Sequence, residues 1–105
     1  MSIVGKSTRE GKWWYFVDDG IYGLLISELI NEPEHKIFTP YVDGPTRICC
    51  LAGPTCDGTD VIRDEIELPE LEYGDLLVVS KMGSYSWSYS TTFNSIAVPK
   101  VVLLD

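Results

Sequence analysis

Nine glycines and six prolines punctuate 105 residues, and what lies between them is mostly short runs of β-branched, aromatic and aliphatic side chains. Such punctuation excludes long helices and favours many short strands joined by turns. Ile3-Val4 and Trp13-Trp14-Tyr15-Phe16-Val17 read as two strands joined through Arg9-Glu10-Gly11-Lys12, a hairpin connection containing Gly. Asp18-Asp19-Gly20 closes the second run, and Ile21 to Ile30 has apolar spacing that suits either a short helix or a strand. Pro33, Pro40 and Pro45 interrupt a polar loop that holds a possible short strand at Lys36-Ile37-Phe38-Thr39. Arg47-Ile48-Cys49-Cys50-Leu51 is expected to be a half-buried strand with one cysteine turned inward.

Further along, Asp60 to Leu68 alternates: Val61, Ile62, Ile66 and Leu68 stand among Arg63, Asp64, Glu65 and Glu67, as in a strand with one wet face. Glu72-Tyr73-Gly74-Asp75 predicts a turn, and Leu76-Leu77-Val78-Val79 a strand buried on both faces. Tyr85 to Ser95 has no clear period, and Val101 to Leu104 predicts a last strand. The expected architecture is mainly all-β, a small barrel or sandwich with one or two short helical turns, in a single domain over residues 1–105.

Sixteen acidic against eight basic residues give a net charge of -8, which disfavours nucleic acid and anionic membrane as partners and favours a cationic one. No apolar run approaches the roughly 20 residues that span a bilayer, and Met-Ser-Ile-Val-Gly-Lys lacks the order of a signal peptide, so a cytoplasmic location is expected. Three cysteines make no disulfide framework for a small secreted domain. Without a C-x-x-C spacing, and with His35 as the sole histidine, no metal site is expected either.

The sharpest local feature is Gly53-Pro54-Thr55-Cys56-Asp57-Gly58-Thr59-Asp60, a bend stiffened by glycine and proline that sets a thiol beside a carboxylate. On pattern alone, Cys56 reads as an inert buried cysteine, and Asp57 serves equally well as an Asx turn former or a functional anion. Asp60 reads as a turn or strand-start residue.

The bend does not stand alone. Val17-Asp18-Asp19-Gly20-Ile21-Tyr22-Gly23 precedes it, Leu68-Pro69-Glu70-Leu71-Glu72-Tyr73-Gly74-Asp75 comes after it, and Met82-Gly83-Ser84-Tyr85 leads on to Thr92-Phe93-Asn94. In this order the blocks resemble the C-terminal domain of the fold-type III, pyridoxal-phosphate-dependent amino-acid decarboxylases, the ornithine, lysine, arginine and diaminopimelate group. Cys-Asp at the bend is similar to the ornithine and lysine branch, whose reaction feeds polyamine biosynthesis.

The resemblance implies roles. Cys56 matches the acid that returns a proton to the substrate's α-carbon, a job a thiol with an ordinary pKa near ~8.5 can do. Asp57 matches the carboxylate that meets the substrate's distal ammonium, and Tyr85 matches a tyrosine whose hydroxyl donates to the phosphate of pyridoxal phosphate. Family members of the ornithine type usually carry an acidic residue where an ungapped count puts Asn31, with Glu28 and Glu32 close by. Trp87 and Tyr89 are expected to be core aromatics, Phe93 and Asn94 packing and turn residues.

The family's (β/α)-barrel domain, which bears the Schiff-base lysine, has no counterpart in this chain: none of Lys6, Lys12, Lys36, Lys81 or Lys100 stands in that context. The expectation is a domain that acts in trans with a barrel domain, inactive alone, and that forms homo-oligomers through exposed strands or a Trp13-Trp14 face. The other reading is a non-catalytic interaction module built on the same fold. A free redox thiol is a distant third, since Asp57 disfavours a thiolate at Cys56.

Overall fold

The computed structural model describes residues 1–25, 36–55, 58–80, 91–97, 100 and 102–103. In chain order the strands are β1 (Ile3–Arg9), β2 (Lys12–Val17), β3 (Ile37–Phe38), β4 (Thr46–Ala52), β5 (Val61–Pro69) and β6 (Val78–Val79), with one 3-10 turn, Phe93–Ser95, after them. They form a four-stranded sheet of order β1-β2-β4-β5 and a two-stranded sheet of β3 and β6. The domain is thus mainly β, as expected.

The β1–β2 hairpin turns on Glu10 and Gly11 alone, at φ 53° and 78°. A two-residue loop with both φ angles positive carries the twist that antiparallel strands need, and the cross-strand register runs from Arg9↔Lys12 to Ile3↔Val17. β1 accordingly reaches well beyond the Ile3-Val4 run, through polar residues that hydrophobicity does not mark. A register shift between Ile3 and Gly5 leaves Val4 49% exposed.

β2 lies between β1 and β4, and its side chains alternate between the two faces of the sheet. Tyr15 and Val17 are buried on the inner face, together with Cys49, Leu51, Ile62 and Leu68. Trp13 shares that face, packed against the core, with the Arg47 guanidinium 4.7 Å from its ring. Trp14 points the other way, 6.2 Å from Phe16 and 4.8 Å from the Arg9 guanidinium. Trp13 and Trp14 therefore do not form one face, because successive strand residues project oppositely.

Four further expectations change. Cys49 and Cys50 are both buried, at 0% and 1% exposure, where one inward cysteine was expected: the strand's last four residues are covered on both faces. Leu76 to Val79 is not a doubly buried strand. Val78–Val79 pairs with β3 in a sheet of two strands, Leu76 makes an isolated antiparallel bridge with Ser2, and Leu76 and Val78 stay 46% and 40% exposed while Leu77 is buried. Val102 and Leu103 belong to no strand and are 72% and 91% exposed. Residues 21–25 form turns, neither helix nor strand, and the remainder of that run lies outside the described residues.

The pairing that positions the candidate site is parallel. β2 and β4 run side by side from Trp13↔Cys49 to Phe16↔Ala52. Parallel neighbours need a crossover, here residues 18–45, and their carboxyl ends emerge on the same side of the sheet. The Asp18–Gly23 turn leaves the end of β2, and the Gly53–Asp60 bend leaves the end of β4. Both are delivered to one rim.

Candidate functional site

At that rim the bend is closed on itself and fastened to the turn. Gly53 N–H donates to Asp60 O at 2.8 Å, drawing together the two ends of the loop. The Asp60 side chain, 2% exposed, then takes three donors. Ile21 N–H donates to Oδ1 at 2.9 Å, while Thr55 N–H and Thr55 Oγ1 donate to Oδ2 at 3.0 and 2.6 Å. A buried carboxylate is tolerable when its lone pairs are filled in this way. Gly20 and Gly53 flank the carboxylate so closely that a Cβ on either would collide with it.

The turn has its own clasp. Gly20 N–H and Leu24 N–H donate to Asp19 Oδ1 at 2.8 and 3.0 Å. Burial pushes the Asp19 carboxyl above its ordinary pKa, and the two backbone donors oppose that rise in part. Asp18 is turned to the chain start, where Ser2 N–H and Ser2 Oγ donate to its two oxygens, each at 2.8 Å.

Tyr22 joins a third segment. Its hydroxyl shares a 3.1 Å hydrogen bond with Thr59 Oγ1, and its carbonyl accepts from Thr91 N–H at 2.9 Å and Thr91 Oγ1 at 2.7 Å. Its ring lies 4.4 Å from that of Phe93. A small cleft runs between these pieces, lined among the described residues by Asp18, Asp19, Tyr22, Thr55, Asp60 and Phe93 and several smaller neighbours. Its described walls carry carboxylates and hydroxyls and no lysine or arginine. Such walls do not fit a phosphate, which needs donors and positive charge.

Of the residues singled out in the sequence, Cys56, Asp57, Asn31 and Tyr85 lie outside the described residues, as do Glu28, Glu32, Trp87 and Tyr89. The flanks of the Cys56-Asp57 pair are described on both sides, by Thr55 and Gly58. Phe93 packs on Tyr22, and Asn94, at φ 63°, sits in a turn, matching the packing and turn roles expected of them. Asp60 does stand at the start of β5 as expected, but its larger part, binding two loops together, was not read from the sequence. The spacing Thr55-x4-Asp60 was the available signal, and the partner at Ile21 gave none. Among the described residues no group of histidine, cysteine and carboxylate side chains could hold a metal ion.

The described residues form a sheet-rich domain that presents two clasped loops at the carboxyl ends of parallel strands. The family described as "Pyridoxal-dependent decarboxylase, C-terminal sheet domain" matches residues 1–83, and the chain belongs to it. Lysine/ornithine decarboxylase of Selenomonas ruminantium is 31% identical over 104 residues, covering 99% of this chain and 26% of that protein. Antizyme inhibitor 2 of Xenopus laevis is 39% identical over 83 residues, covering 76% of this chain and 18% of its own length. In three dimensions the chain is similar to lysine/ornithine decarboxylase from Vibrio vulnificus complexed with cadaverine, with a TM-score of 0.93 and 36% identity over 99% of this chain and 29% of that one. The chain thus spans about a quarter of the length of such relatives. No helix among the described residues is long and apolar enough to cross a membrane.

Proposed function

We propose that this chain acts as the sheet domain of a pyridoxal-phosphate-dependent decarboxylase of ornithine or lysine, lending Cys56 and Asp57 to a site that a barrel domain completes. The observation that carries this reading is the closed Gly53–Asp60 loop, bound through Asp60 to the turn at Ile21. Cys56 and Asp57 belong to that loop by sequence, and Thr55 just before them lines the cleft between the bend and the turn. The Vibrio vulnificus relative, complexed with cadaverine, lends the same support.

In this reading the cofactor belongs to the barrel domain. When bound there, pyridoxal phosphate delocalises the electrons left on the substrate's α-carbon. The sheet domain keeps a proton on Cys56 Sγ, delivers it to that carbon, and offers the Asp57 carboxylate to the distal ammonium. Asn31, lying where an acid is usual, makes the hold on that ammonium weaker and leaves Asp57 the principal anion. The described walls offer nothing for a phosphate, so the chain's share of cofactor binding is the Tyr85 hydroxyl. Without a barrel the chain binds the cofactor weakly and turns nothing over. The same reading sets the domain in the cytoplasm, in a paired assembly.

The test is reconstitution with the barrel domain of the Selenomonas or Vibrio relative and pyridoxal phosphate, with carbon dioxide release measured from ornithine and from lysine. Neither piece is active alone and the mixture is. Cys56→Ala lowers kcat by about 10²- to 10⁴-fold, the ordinary range for a lost general acid. Asp57→Ala lowers kcat/KM by about 10- to 100-fold through the lost charged contact. Activity indifferent to Cys56→Ala removes the acid role.

A second reading, an interaction module without chemistry, is favoured by one observation: the domain is matched at 39% identity in a protein named as an inhibitor. Stable pairing with a barrel and no turnover, for this chain and for its Asn31→Asp variant alike, selects it.

A further inference from the structure

We propose that Asp60 is a positioning residue that holds the Cys56-Asp57 corner in register with the Asp19–Gly23 turn. The proposal rests on the proposed role of Cys56, but it concerns a group that neither the proton transfer nor the family match requires.

Three observations carry it. First, Asp60 is the one charged side chain buried among the described residues, at 2% exposure, and the three donors to its carboxylate belong to loops rather than to the sheet. A carboxylate retained purely for strand formation would face water at the mouth of β5.

Second, its two oxygens divide the work. Oδ2 takes both donors of Thr55, immediately before Cys56, while Oδ1 takes Ile21 N–H from a segment 39 residues away. One side chain thus fixes the near arm of the corner relative to a separate turn, and the Gly53 N–H bond to Asp60 O closes the loop behind it.

Third, the surroundings are shaped for this carboxylate. Gly20 and Gly53 lie against it from the turn and from the start of the bend, and at neither is there room for a methyl group. A longer side chain does not fit the same space, so the position tolerates Asp and neither Glu nor a bulkier apolar residue.

Asparagine is the informative substitution. With its oxygen toward Thr55 it keeps the near arm but turns an N–H₂ group against Ile21 N–H; with its oxygen toward Ile21 it abandons Thr55. Either way half of the clamp is lost at nearly constant volume.

The experiment reads Cys56 without any enzyme assay. Alkylation by iodoacetamide is followed by mass spectrometry across about pH 6 to 10 in the parent chain and in Asp60→Asn, with each cysteine scored separately. Cys49 and Cys50 are buried and report global unfolding. The proposal expects the rate profile of Cys56 to move by about threefold or more in Asp60→Asn while Cys49 and Cys50 stay protected, the mark of a local change. A Cys56 profile that superimposes on the parent's, with Cys49 and Cys50 protected, overturns it.

If Asp60→Asn unfolds and all three thiols react together, Thr55→Val decides. It removes the hydroxyl donor and leaves the bond to Ile21 in place, and a Cys56 profile unchanged in that variant also overturns the proposal. A shifted profile combined with turnover indifferent to Cys56→Ala keeps the clamp and removes the acid role. An unshifted profile with turnover that depends on Cys56 does the reverse.

Discussion

Leu71 N–H donates to the hydroxyl oxygen of Tyr15 at 3.1 Å, a contact between two residues that are both 0% exposed. It ties the middle of β2 to the segment after β5, at a point where no strand pairing is available to satisfy the Leu71 amide. Tyr15→Phe preserves the ring and leaves that amide buried without a partner. The expected cost is about 1–3 kcal/mol, read as a lower urea midpoint at unchanged m-value. An unchanged midpoint means that water reaches the amide.

The hairpin offers a test with the opposite sign. Glu10 sits at φ 53°, a region that costs an ordinary side chain about 1–2 kcal/mol and that Asn visits more readily. Glu10→Asn creates the Asn-Gly pair preferred in such turns and is expected to stabilise the fold by about 0.5–1 kcal/mol, part of the strain that Glu10 bears. Gly11→Ala, at φ 78°, is expected to destabilise it by about 1–2 kcal/mol, even though an added Cβ there meets nothing. Thermal melts of the two variants should therefore bracket the parent.

How much of this was legible in the sequence depends on whether the cause was local. β2, β4 and β5 were found because alternation and β-branching are properties of adjacent residues, and the Glu72–Asp75 turn because Gly74 needs its φ of 86°. Leu76 to Val79 misled because an apolar run says nothing about how many layers will cover it, and a sheet of two strands leaves Val78 open. One of Cys49 and Cys50 was expected outside because the outer face was taken as wet, whereas Cys50 has Trp14 as its partner on the neighbouring strand and the Lys12 ammonium near enough to act on its thiol. The Asp60 clamp was invisible for a different reason: it depends on β2 and β4 pairing in parallel, and no spacing within one strand encodes its neighbour. The Cys56 corner was legible only as a family motif, since periodicity is silent in a loop.

The thiols give a third prediction. Burial raises the pKa of both Cys49 and Cys50 above the ordinary value, and both side chains are closed off from solvent. Reaction requires the thiolate and access to it, so neither should react with a disulfide reagent at neutral pH in the folded chain. Their modification should rise with urea along the same curve as the fluorescence of the three tryptophans. Modification of Cys50 well before unfolding would show that the outer face of β4 opens by itself.

Asp19 gives the last prediction, in which the sign matters. Burial raises its pKa in the folded chain, so the folded state holds this proton more tightly than the unfolded state does. By linkage, the stabilising contribution is fully present below the unfolded pKa and is lost as pH rises through the folded pKa, so at neutral pH the charged carboxylate is a liability. The two backbone donors from Gly20 and Leu24 need only an oxygen, which asparagine supplies. Asp19→Asn should therefore melt no lower than the parent at pH 7. The difference between the two should shrink as pH falls into the acid range, where the parent's carboxyl becomes neutral as well. A variant that melts well below the parent at neutral pH, with a gap that closes in acid, would mean that the negative charge itself holds the turn.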